Sequence, residues 1–252
     1  MMQGPFTVEQ RTRVREYILR RARSDSRVLA GAVVGSEASG KEDRWSDLDL
    51  TFGLVPGVSP GQVLEEWTPE LMREFDAVHL FDLPRKTSLY RVFLLPGNLQ
   101  VDLSLTTGFV PQFGPDFRLL FGGPVEFEPV SGRTPTEMFG FGAHHAVRAR
   151  FCVERGKCLQ AEYWISGVRD EALALACHRH GLDTSYGRGF DELPAELLDL
   201  ASRGLVRSLD RAELLRALGE AVDLLLQQAD EIPTIRDSLA PRLKDLSSLK
   251  WT

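Results

Sequence analysis

The sequence predicts an α+β fold, an N-terminal mixed sheet with helices on one face followed by a C-terminal helical bundle domain. Three observations predict it. Residues 28–34, 48–54 and 99–106 read as strands, the last two with apolar and polar side chains in alternation. Helical spacing of apolar residues is interleaved with these strands. Beyond Thr136 the pattern is helical throughout, after a stretch punctuated by Gly108, Pro111, Gly114, Pro115, Gly122, Gly123, Pro124, Pro129, Gly132 and Pro135. The expected organisation is a domain over 1–110, a junction over 111–135 and a helical domain over 136–252.

Taken in order, Thr7-Val8-Glu9-Gln10 forms a capping box that opens a first helix running to about Arg23. The apolar, β-branched run 28–34 is a buried strand and leads into a Gly35-Ser36 turn. Next, Leu48, Leu50, Phe52 and Leu54 alternate with Asp47, Asp49, Thr51 and Gly53, a strand with one buried face. A crossover helix follows with Val63, Leu64, Trp67, Leu71, Met72 and Phe75, its start fixed or its course interrupted by Pro60-Gly61 and Thr68-Pro69. Runs 77–83, 90–95 and 99–106 are strands, and Pro96-Gly97-Asn98 makes the last two an antiparallel hairpin. Residues 118–128 supply one more strand or turn. Helices then cover 138–158, 161–180 (ended by Gly181), 193–203 (closed by Gly204) and 210–231, the last amphipathic through Leu214, Leu215, Leu218, Val222, Leu225 and Leu226. The tail docks by Leu246, Leu249 and Trp251 or frays.

Composition narrows the function classes. The net charge of −6 offers no basic field, so a polynucleotide partner is disfavoured. The N-terminus lacks the apolar stretch of a secretory signal, and no apolar run reaches the length of a membrane span. The expectation is a soluble cytoplasmic protein without a membrane partner. Cys152, Cys158 and Cys177 are three in number and form no Cys-x-x-Cys pair, which makes them buried free thiols. His144-His145 and His178/His180 lack the spacing of zinc ligands, and no Gly-x-Ser-x-Gly elbow is present.

The chemistry lies in the run GAVVGSEASGKEDRWSDLDLTFGL. Asp47 and Asp49 project from one face of their strand, and two adjacent carboxylates repel unless a hard cation relieves them, Mg²⁺ above all. In LQVDLSLTT, Asp102 occupies the polar face of another strand. If the two strands are neighbours, three carboxylates converge as two-metal phosphoryl chemistry requires.

Gly-Ser, a spacer, Asp-x-Asp and a distant Asp on a later strand resemble the nucleotidyltransferase superfamily of the DNA polymerase β type. The resemblance is closest to small bacterial aminoglycoside and lincosamide nucleotidyltransferases, and its motifs span about residues 28–107. It implies a nucleotidyltransferase-like first domain in which Gly35 and Ser36 hold the nucleotide's phosphates. Asp47 and Asp49 would then bind two Mg²⁺ ions, and Asp102 the catalytic one. The implied reaction moves a nucleoside monophosphate, AMP from ATP or the equivalent from another triphosphate, onto a small hydroxylated acceptor such as an antibiotic. Lys41 and Arg44, between Ser36 and Asp47, are phosphate candidates. So is Lys157, next to the helix-breaking Gly156 in a basic run with Arg148, Arg150 and Arg155. Asp76 and Asp82 are the fallback general bases. The alternatives are a protein-modifying or antitoxin-type enzyme and an inactive nucleotide-binding relative; the oligomeric state is left open.

Overall fold

The computed structural model describes residues 4–85, 87–107, 117–123 and 132–248. The chain divides into two compact units, Met1–Ser131 and Gly132–Thr252. Part of the expected 111–135 junction, the later half of the 118–128 run, and Leu249 and Trp251 of the tail lie outside the described residues.

In the first unit, α1 (Val8–Ser24) begins at the expected capping box: the Thr7 side chain accepts from the Gln10 amide while the Gln10 side chain accepts from the Thr7 amide. Helix α3 (Pro60–Phe75) has Pro60 in its first turn, where a missing N–H costs nothing. Pro69 sits inside this helix without ending it, and the Thr68 hydroxyl donates to the Leu64 carbonyl at 2.6 Å. The six strands are β1 (Val28–Val34), β2 (Leu48–Leu54), β3 (Val78–Arg85), β4 (Ser88–Leu95), β5 (Leu99–Thr107) and β6 (Phe117–Phe121). They form one mixed sheet in the order β3-β4-β5-β2-β1-β6. The expected hairpin is β4–β5, closed around a 3₁₀ turn at Pro96–Asn98. Strands β2 and β5 pair in parallel, the remaining neighbours antiparallel.

Alternation sorts the sheet faces. Leu48, Leu50, Phe52 and Leu54 of β2 join Leu99, Val101, Leu103 and Leu105 of β5 in a core with Val14, Ile18 and Ala22 of α1 and Val63, Leu64, Trp67 and Leu71 of α3. Burying these side chains stabilises the unit by about 1.5–3 kcal/mol each relative to exposure. The polar positions of β2 and β5 point away from the helices. Gly31 in β1 makes room for aromatic packing: a Cβ there would lie 2.5 Å from Phe121 and 2.9 Å from Phe52. Strand β3 is a sheet edge, exposed along its whole length, with a bulge between His79 and Phe81 and a proline at position 84.

The second unit is helical: α4 (Pro135–Glu154), α5 (Cys158–His180), α6 (Ala195–Arg203), α7 (Arg211–Gln228) and α8 (Pro233–Asp245). Its separate core includes Phe139, Ala146 and Ala149 of α4, Ile165, Val168 and Ala172 of α5, and Leu214, Leu218 and Leu225 of α7. Helix α8 runs into the tail that was expected to dock or fray, and the docking alternative holds for Leu246. Pro233 opens it and Pro241 is carried within it, although two prolines in a short segment read as breakers. Leu243 and Leu246 are buried, as a docked segment requires. Arg150, one of the basic candidates in the 148–157 run, is fully buried and donates through Nη1 to the carbonyls of Leu246 and Ser248, so it anchors the segment that follows α8. Cys152 and Cys177 are buried thiols as expected, whereas Cys158 is half-buried at the start of α5. Among the described residues no helix is long and apolar enough to cross a membrane.

Candidate metal and phosphate site

The parallel pairing of β2 with β5 sets Asp49 directly opposite Asp102. Asp47 lies immediately before β2 on the same side, two residues from Asp49. One carboxylate oxygen from each of Asp47, Asp49 and Asp102 falls within 4.8 Å of the others. Asp47 is exposed, and Asp49 and Asp102 are half-buried. Burial raises the Asp102 pKa above the usual carboxylate range, and the Asp47 charge pushes it further, while a hydrogen bond from Gln100 works against both. Gln100 Nε2 donates to Asp102 Oδ1 at 3.1 Å and Oδ2 at 3.3 Å, holding the carboxylate in place from two residues earlier on the same strand face.

Gly35 follows β1 directly and opens a short helix, α2 (Gly35–Ser39), rather than a simple turn. Its φ of +67° is a left-handed conformation that side chains rarely adopt, and a Cβ would lie 2.7 Å from Asp49 Oδ2. Backbone and carboxylate are therefore in direct apposition. Ser36 follows in α2, where its carbonyl accepts from the Lys41 amide at 2.9 Å. Gly35→Val is expected to move Asp49 and, if this turn holds phosphate as the sequence resemblance implies, to weaken nucleotide binding at least tenfold. Unchanged nucleotide affinity in the folded variant, read by equilibrium titration, would reduce this glycine to a structural role.

Along the sheet the carboxylate row continues. Asp102 faces Val92 of β4, and Val92 faces Phe81 of β3, so one transverse row reads Asp49, Asp102, Val92, Phe81. The adjacent row contains Thr51, Ser104 and Tyr90. The Ser104 hydroxyl donates to Thr51 Oγ1 at 2.7 Å. Burial raises the Tyr90 phenol pKa, and the Asp49 charge acts in the same direction. Sequence reasoning passed over Gln100 and Tyr90; their place on the polar face of alternating strands is the signal that marks them.

Not every candidate joins this cluster. Lys41 and Arg44 are exposed on the loop between α2 and β2, and Arg44 stacks over the Trp45 ring at 3.9 Å. Lys157 belongs to the second unit, where its amide donates to the Cys152 carbonyl and its carbonyl accepts from Ala161 as α4 gives way to α5. Gly156, at φ +67°, breaks the helix as expected. The fallback bases are elsewhere: Asp82 is clamped by Arg91 at 2.7 and 2.6 Å and bonded to His79 at 2.9 Å, on the helix-bearing face. Arg91 holds the Asp82 pKa below its usual range. Asp76 ends α3 in a left-handed conformation, outside the carboxylate group. Among the described residues only Asp47, Asp49 and Asp102 form a cluster suited to a metal ion.

Among solved structures the chain is similar to an aminoglycoside 6-adenyltransferase from Bacillus subtilis, with 10% identity and a TM-score of 0.39 over 92% of this chain and 96% of that one. No protein-family model matches the chain. No curated protein matches it in sequence.

Proposed function

We propose that this protein is a Mg²⁺-dependent nucleotidyltransferase, moving a nucleoside monophosphate, AMP from ATP in the first instance, to a hydroxyl of a small acceptor. The observation that carries this reading is the convergence of Asp47, Asp49 and Asp102 within 4.8 Å, with the Gly35 backbone against Asp49. The donor set fits the cation. All three ligands are hard oxygens, and they converge within 4.8 Å at a partly buried site. Asp47 and Asp49 would hold both ions, and Asp102 the one nearer the acceptor. When bound, the ions would neutralise the triphosphate and favour the alkoxide form of the acceptor.

This chain's own groups do the rest. Gly35 and Ser36 allow close approach of phosphate to backbone, with Lys41 and Arg44 as the sources of positive charge within this unit. The acceptor oxygen attacks the α-phosphorus and forms a new P–O bond. The bond to the β-phosphate's bridging oxygen breaks, pyrophosphate leaves, and the hydroxyl proton passes to Asp102 or, where Asp102 serves only as a metal ligand, to another base.

The test is incubation with ATP or another triphosphate, Mg²⁺ and a panel of hydroxylated small molecules that includes antibiotics. Pyrophosphate release with a mass increase of one nucleoside monophosphate on an acceptor is expected. A mass shift on a protein instead would favour a protein-modifying enzyme, and no nucleotide binding at all would remove the proposal. Within this scheme Asp102→Asn should lower kcat about 10²-fold with little change in nucleotide Kd, because Asp47 and Asp49 remain. Near-normal kcat in that variant would take Asp102 out of the chemistry.

A further inference from the structure

Asp49 and Asp102 are fixed by the β2–β5 ladder, but Asp47 is not: it follows a loop, residues 40–46, that has no regular structure. The loop is partly self-closed. Asp43 Oδ1 accepts from the Trp45 amide at 2.8 Å and from the Ser46 hydroxyl at 3.1 Å, and the Ser46 hydroxyl accepts from the Asp43 amide at 2.9 Å. These bonds shape the loop without tying it to the rest of the unit.

Arg11 makes that tie. It lies on α1 and is only 4% exposed, an unusual state for an arginine. Its Nη1 donates to the carbonyls of Asp43 and Ser46, both at 2.7 Å, and Nη2 pairs with Glu42 at 2.5 Å. The Ser46 carbonyl belongs to the peptide group that joins Ser46 to Asp47. One guanidinium therefore grips three successive parts of the loop, the last adjoining the exposed carboxylate. A planar fork with several donors suits this task, as an ammonium does not. One turn further along α1, Arg15 pairs with Glu37 of α2 at 2.9 Å, so the same helix also braces the start of the segment.

We infer that Arg11 is a positioning residue for the carboxylate site, holding the 42–46 loop so that Asp47 stands beside Asp49 and Asp102. The inference rests on the reading of those carboxylates as metal ligands, and its test separates the two. With the full-length protein and Mn²⁺ as the probe, Arg11→Met should weaken binding about tenfold, the scale expected when support behind a ligand is lost. Arg11→Lys, which keeps the charge and the apolar stem, should recover part of that loss and guards against misfolding of the first variant. In an Asp47→Asn background, Arg11→Met should cost nothing further, because its effect passes through Asp47. Amide hydrogen exchange should accelerate over 41–47 and stay unchanged over 48–54 and 99–107. Undiminished Mn²⁺ affinity in folded Arg11→Met, an equal loss in both backgrounds, or unaltered exchange over 41–47 would each overturn the inference. Absence of Mn²⁺ binding in the wild type would defeat the metal reading instead, and the exchange measurement would still decide whether Arg11 orders the loop.

Discussion

Asp49→Asn is expected to abolish nucleotidyl transfer, lowering kcat by on the order of 10³-fold, with the fold retained. Asp49 is the pivot of the cluster: it stands opposite Asp102 in the ladder and touches the space that a side chain at Gly35 would occupy. Asparagine keeps its size and shape, so neither the ladder nor the Gly35 contact is disturbed. What is lost is one negative charge from a site where three are gathered. Removing a carboxylate from such a group relieves repulsion in the metal-free protein, so thermal stability should be unchanged or slightly raised. Turnover, Mn²⁺ affinity and melting temperature measured side by side test all parts. Full wild-type turnover in excess EDTA would show that the carboxylates serve another purpose.

The largest effect on stability is expected at Asp25, remote from the site. Asp25 caps the C-terminal end of α1 and its side chain is 5% exposed. It accepts from Arg27 at 2.8 and 2.7 Å, from Arg21 at 3.2 Å and from Trp67 Nε1 at 3.1 Å. It thus ties α1, the entry to β1 and α3 to one carboxylate. Asp25→Ala leaves a buried indole N–H and two arginines without that acceptor, a loss of about 3 kcal/mol. The Arg27 side chain is the largest influence holding the Asp25 pKa far below the usual carboxylate range. A depressed folded-state pKa contributes stability that is complete above the unfolded value, about 3.9, and is lost as pH falls below it. Urea unfolding at pH 7 and pH 3 should therefore show a large gap between wild type and Asp25→Ala at neutral pH and a smaller one in acid. Equal gaps at both pH values would contradict this assignment.

Much of the candidate site was legible because strand periodicity puts every second residue on one face: once Asp47, Asp49 and Asp102 fell at polar positions, their common face needed only adjacency of the strands. That adjacency is tertiary. The parallel register of β2 with β5 depends on the crossover through α3, β3 and β4, which no local pattern encodes. Arg11 was illegible for a different reason. It sits among Arg13, Arg15, Arg20, Arg21 and Arg23 on a helix whose charge looks uniformly solvated, and only packing shows which guanidinium is buried. Asp82 failed in the opposite direction: its sequence neighbourhood suggested availability, but Arg91, nine residues away across a hairpin, claims both of its oxygens. Helix α8 was missed because Pro233 and Pro241 punctuate its sequence, yet a proline in a first turn costs no hydrogen bond and the helix runs on through the one in its interior.

Strand β3 has a consequence for how the protein behaves at high concentration. An eight-residue sheet edge with Val78, Leu80, Phe81 and Leu83 all exposed would ordinarily template the addition of another chain and nucleate aggregation. Here the bulge between His79 and Phe81 breaks the even spacing that an incoming strand would need, and Pro84 has no N–H to offer it. The ionic pair of Asp82 with Arg91 adds charge along the same border. The oily residues can therefore stay in contact with water beside the carboxylate row while the backbone under them refuses to grow the sheet.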